Sequence, residues 1–76
     1  MGVMSLGRTE ATITSICGGY VYALDDWGTR YFIFHNAVAQ MGRWGFVDLR
    51  QGSRVELTPI DHPKGARGIE VEILAR

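Results

Sequence analysis

The side chains able to carry covalent chemistry in this 76-residue chain are few and scattered. Cys17, His35 and His62 lack the close pairing that zinc ligands show. Ser5, Ser15 and Ser53 stand outside any nucleophile-elbow context, and no Gly-x-x-x-x-Gly-Lys run offers a phosphate cradle. Asp25 and Asp26 are adjacent carboxylates, but beside Trp27 and Gly28 they read as turn formers. A general acid–base pair needs a cleft, which the sequence does not supply. The expectation is a non-enzyme with no cofactor and no metal. What remains is non-covalent: aromatic rings at alternate positions, Tyr20 and Tyr22, then Phe32 and Phe34.

Those rings need strands to position them. Residues 20–24 and 31–35 are β-prone runs joined by the polar turn Asp25-Asp26-Trp27-Gly28, the pattern of a hairpin. Side chains alternate along a strand, so Tyr20, Tyr22, Phe32 and Phe34 share one face while Val21, Ala23, Tyr31 and Ile33 share the other. A first strand precedes the hairpin at 10–17, rich in β-branched residues, and Gly18-Gly19 supplies the positive φ its connection demands. Residues 36–41 make about one helical turn with Asn36 as N-cap, and 42–52 form a long loop. Two further strands follow. In 53–61, Val55 and Leu57 alternate with Arg54, Glu56 and Thr58, and Pro59 argues for an edge or bulge. In 68–75, Ile69, Val71 and Ile73 alternate with Glu70 and Glu72. His62-Pro63-Lys64-Gly65 is the turn between them.

Five short strands with almost no helix predict an all-β fold, a small five-stranded antiparallel barrel. Its core is expected to hold Ile13, Val21, Ile33, Val55, Leu57, Ile69, Val71 and Ile73. The chain divides into a flexible segment at 1–9 and a single domain at 10–76. Eight basic residues balance eight acidic ones, which argues against a polybasic tail but permits cations gathered on one face. A single cysteine allows no internal disulfide and fits a reducing compartment. The absence of a signal peptide pattern or a ~20-residue apolar run points to a cytoplasmic protein with no membrane association.

Gly18-Gly19-Tyr20-Val21-Tyr22-Ala23 stands where the cold-shock domain family has its first ribonucleoprotein-like motif, roughly Lys-Gly-Phe-Gly-Phe-Ile. Tyr31-Phe32-Ile33-Phe34-His35-Asn36-Ala37-Val38 is similar to the second, roughly Val-Phe-Val-His-Phe-Ser-Ala-Ile. Leu49-Arg50-Gln51-Gly52-Ser53-Arg54-Val55-Glu56 resembles the family's Leu-Lys-Glu-Gly-Gln-Lys-Val-Glu, and Pro63-Lys64-Gly65 matches its Pro-Lys-Gly. The resemblance covers about residues 10 to 74. It implies an oligonucleotide/oligosaccharide-binding (OB) barrel that binds single-stranded RNA or DNA by stacking bases on exposed aromatics. Three departures stand out: Gly18 replaces a lysine, Val21 replaces the middle glycine, and the first strand lacks the family's tryptophan.

Carried over position by position, the stacking residues are Tyr20, Tyr22, Phe32 and Phe34, with His35 at the strand end. Arg30, Arg43 and Lys64 are the cations expected to border that face. Trp27, Trp44 and Phe46 lie in turns and loops, where a tryptophan in a small domain is more often a core plug. Trp44 and Phe46 also resemble the stacking aromatic of the family's long third loop. Two functions stay open: an RNA chaperone or regulator holding single strands, and a protein-interaction or homodimerisation module using the same aromatic face. A small-molecule or sugar-binding barrel is a weaker third, because no convergent polar pocket is legible.

Overall fold

The computed structural model of the chain describes residues 7–38 and 44–76. The strands are β1 (Thr9–Ile16), β2 (Tyr20–Asp25), β3 (Arg30–Phe34), β4 (Arg54–Ile60) and β5 (Arg67–Ala75). They close into a barrel in the order β1-β2-β3-β5-β4, an OB-type architecture. Four of the neighbouring pairs are antiparallel, as expected, but β3 and β5 run parallel, with Phe32 opposite Arg67. Closure needs strongly bent strands, and register shifts at Ile13/Ser15 in β1 and at Glu56/Thr58 in β4 supply the bends.

Alternation decides which side chains enter the barrel. Ala11 and Ile13 from β1, Val21 and Ala23 from β2, Tyr31 and Ile33 from β3, and Val55 and Leu57 from β4 all point inward. Val71 completes the wall from β5, and Val38 and Leu49 from the connecting segments join the buried cluster. Ile73 packs at the edge of this core. Ile69 does not belong to it, contrary to the alternation read from 68–75. Glu70 adopts φ 50 at a bulge opposite the Glu56/Thr58 shift, and this extra residue inverts the facing of everything before it. Gly68 therefore turns inward, and Ile69 turns out to the half-exposed surface. A Cβ on Gly68 would lie 2.8 Å from Leu57 Cδ2 and 3.3 Å from Ile33 Cγ1, so the barrel closes there because the residue has no side chain.

Arg8 ties this irregular region down by hydrogen bonding to Glu56, Thr58 and the Glu70 carbonyl. β1 thus starts at Thr9, within the segment expected to be flexible, whose residues 1–6 lie outside the described residues. Pro59 sits beyond Leu57, where the pairing of β4 with β1 ends among the described residues, so its missing N–H costs no ladder bond there. The helical turn expected at 36–41 is a 3-10 turn over His35–Ala37 without a side-chain cap from Asn36, and 39–41 lie outside the described residues. The loop from Trp44 contains a second 3-10 turn, Phe46–Asp48, held by the Gly45 amide donating to Asp48 Oδ2 at 2.9 Å.

Candidate functional site

The β2–β3 hairpin carries its rings outward in the expected register: Tyr20 opposite Phe34 and Tyr22 opposite Phe32. Cross-strand pairing brings the rings into contact. Tyr20 stacks on Phe32 with centroids 4.9 Å apart, and Tyr22 meets the edge of Phe32 at 5.9 Å. Phe32 lies nearly parallel to Phe34 at 6.3 Å, Phe34 touches His35 at 4.5 Å, and His35 meets Phe46 at 6.1 Å. A continuous aromatic row thus runs across the barrel wall, with Phe32 at its centre. Phe34 is 43% exposed and the other rings of the hairpin face are half-buried by one another. Coulombic interaction with Cys17, then with Tyr22, raises the pKa of the Tyr20 hydroxyl above its ordinary value.

Asp25 makes the hairpin rigid. Its Oδ1 accepts from the Trp27 amide at 2.9 Å and the Thr29 amide at 2.8 Å, and its Oδ2 accepts from the Tyr31 hydroxyl at 2.9 Å. Burial alone would raise the carboxyl's pKa, but the Thr29, Tyr31 and Trp27 donors together outweigh it and hold it below the usual carboxylate range. Asp25 is thus a turn former, as its setting predicted. Trp27, at the tip of this turn, is 88% exposed and plugs no core. The turn sets the start of β3, and so it places Arg30 with its guanidinium carbon 4.8 Å from the centroid of Tyr22.

On the far side of Phe32, Arg67 takes the equivalent position, 4.9 Å above the ring. With Lys64, Gly65 and Ala66 of the β4–β5 turn, these groups and the rings of Tyr22 and Phe32 line a cleft of about 430 Å³. The Phe32 amide donates to the Ala66 carbonyl at 3.0 Å, which fixes the turn against the aromatic strand. A second hollow of about 280 Å³ continues beyond Arg67, between Phe34, Ala37, Ile60 and Ile69.

Charge pairing separates this face from the rest of the surface. Arg8 pairs with Glu56, Arg54 with Glu10 and Asp26, and Arg76 with Asp48. Among the described residues, Arg30, Lys64 and Arg67 have no carboxylate partner, and no carboxylate lines their cleft. Arg50 is likewise without one but does not line the cleft. A chain of zero formal charge therefore presents uncompensated cations beside its aromatic row.

Of the residues singled out in the sequence, Tyr20, Tyr22, Phe32, Phe34, His35 and Phe46 form one ring system, with Arg30 and Lys64 at its border. Trp44 is half-buried and engages Arg76, whose guanidinium carbon is 5.9 Å from its ring centroid. Arg43 lies outside the described residues. Arg67, Ile60 and Ile69 join the face without having been singled out for it. Arg67 arrives through the parallel β3–β5 pairing and Ile69 through the bulge. Among the described residues no three His, Cys, Asp or Glu side chains converge as metal ligands would, and no helix is long and apolar enough to cross a membrane. No protein-family model and no curated protein matches the chain.

Proposed function

We propose that this chain is a single-stranded nucleic-acid-binding barrel of the cold-shock type, holding RNA or DNA strands unpaired in a chaperone or regulatory role. The observation that carries the reading is the outward aromatic row from Tyr22 through Phe32 and Phe34 to His35, bordered by cations that no carboxylate neutralises. Every base has a π-face, so such a row accepts successive bases with little sequence preference, each contributing about 1–3 kcal/mol. Arg30, Lys64 and Arg67 supply the phosphate contacts along one side. The family's basic residue is missing at Gly18, so affinity depends on these three more than on the first motif. No bond is made or broken; the chemistry is stacking and charge pairing.

The test is a titration of an oligothymidylate at several salt concentrations. Three phosphate contacts predict a log–log slope of about −2, since single strands give about −0.7 per contact. Absence of binding at low salt defeats the reading, and a slope near zero removes the cations from it. A second reading is favoured by the apolar lining of the hollow between Phe34, Ala37, Ile60 and Ile69: the face pairs with another copy of the chain. Light scattering separates the two, because only a homodimer interface gives a persistent dimer that Tyr22→Asp breaks.

A further inference from the structure

The cleft at the Tyr22 end of the row differs chemically from the rest of the platform. It is lined by the Tyr22 and Phe32 rings, each with a guanidinium over it (Arg30 at 4.8 Å and Arg67 at 4.9 Å from the centroid), and by the Lys64 side chain. At about 430 Å³ it falls within the range of small-molecule sites, about 300–1,000 Å³. The Gly65 amide is already used, donating to the His62 carbonyl at 2.9 Å, and Arg30, Lys64 and Arg67 are the charged donors that line the site. An uncharged base placed here would stack but leave three cations uncompensated. Inorganic phosphate would meet the cations but leave the ring and guanidinium planes of the cleft without a stacking partner. A group that is flat and anionic at once satisfies both, and guanidinium planes also stack on bases.

We infer that this cleft is a seat for a nucleoside phosphate: the base packs among the Tyr22 and Phe32 rings and the guanidiniums over them, and its own phosphate is held by Arg30, Lys64 and Arg67. The same chemistry is presented by a free mononucleotide and by the phosphorylated end of a single strand. The inference deepens the proposed single-strand reading and rests on it only for the use of these rings as base platforms.

The experiment is a set of nuclear magnetic resonance titrations of the full chain with thymidine, thymidine 5′-monophosphate, inorganic phosphate, and heptathymidylate with a 5′-hydroxyl or a 5′-phosphate. The seat predicts that the monophosphate binds at least about tenfold more tightly than thymidine or phosphate, the size of one charge-assisted contact. It also predicts that the monophosphate shifts the resonances of Ala66, Arg67 and the Tyr22 ring. Arg67→Gln and Lys64→Gln should each shrink that preference while the protein remains folded by its own spectrum. A tighter 5′-phosphorylated heptamer shows that strand ends use the seat. Tighter binding by the mononucleotide alone shows that free nucleotides do. Equal binding of thymidine and its monophosphate overturns the seat, and phosphate binding as tightly as the monophosphate reduces it to an anion site. If the 5′-hydroxyl heptamer still binds in either case, the platform reading survives. If that heptamer fails to bind while the monophosphate is preferred, the platform reading falls and the seat stands.

Discussion

The carboxylate of Asp25 sits at a junction where one substitution separates turn geometry from core satisfaction. It accepts two backbone amides, from Trp27 and Thr29, and the hydroxyl of the buried Tyr31. Hydrogen bonds to a charged group contribute about 1.5–3 kcal/mol each when shielded. The two amides belong to an exposed turn, so their share is smaller, and Asp25→Ala is expected to cost about 2–4 kcal/mol, part of it from the stranded Tyr31 hydroxyl. For a domain of 76 residues, whose total stability is about 4–11 kcal/mol, that is a large fraction. Asp25→Asn keeps one acceptor oxygen and turns an amide toward Tyr31, so it should cost about 1 kcal/mol. The acid limb gives the sharper contrast. Because the folded carboxyl titrates below its unfolded value near 3.9, its contribution is fully present above that pH and disappears as pH falls through the folded value. Urea unfolding at neutral pH and below pH 3 should therefore show wild type and Asp25→Asn converging in acid. A persistent gap of equal size at both pH values, or an alanine variant within about 0.5 kcal/mol of wild type, would refute the argument.

Three other perturbations follow from the barrel's geometry. Gly68→Ala should lower stability by about 1–3 kcal/mol in urea melts, because its Cβ meets Leu57 and Ile33 inside a closed wall; an unchanged midpoint would mean that the wall yields. Glu70→Gly should raise stability by about 0.5–1 kcal/mol in the same melts, since φ 50 is costly for any residue with a Cβ. The hydrogen bond that Glu70 accepts from the Thr58 hydroxyl is long, at 3.4 Å, so removing it offsets little of that gain. The Tyr31 hydroxyl is raised by burial first and then by Asp25, so its contribution is present below about pH 10 and lost as pH rises through the folded value. Alkaline unfolding followed by tyrosine absorbance should shift to lower pH in Asp25→Asn.

Local pattern carried most of the fold into view. The β2–β3 hairpin was legible because alternation and a polar turn are both short-range signals, and its register of Tyr22 against Phe32 follows directly from them. The aliphatic core was legible for the same reason, except where a single extra residue at Glu70 changed the phase of β5. A bulge leaves no mark in alternation until the partner strand is known, so Ile69 read as core. Arg67 stayed hidden because its neighbour Phe32 is 35 residues away across a parallel pair, and no local signal reports such a pairing. Trp27 misled in the opposite direction: a large apolar ring suggested burial, but the Asp25 turn is tight and projects it from the barrel. The distribution of charge was also invisible in a composition that sums to zero. Only the pairing of Arg8, Arg54 and Arg76 with carboxylates shows which cations remain for a ligand.

The central claim is that the row of rings is a base-stacking surface. It is tested most directly by the affinity of heptathymidylate for wild type, Phe32→Ala and Phe34→Ala at low salt, with folding of each variant verified by circular dichroism. Phe32 stands at the centre of the row and Phe34 is its most exposed hairpin ring. Loss of one stacked base predicts a fall of about 1–3 kcal/mol, or roughly 5- to 150-fold, in each folded variant. Wild-type binding that neither truncation weakens, or no wild-type binding at all, would contradict the account.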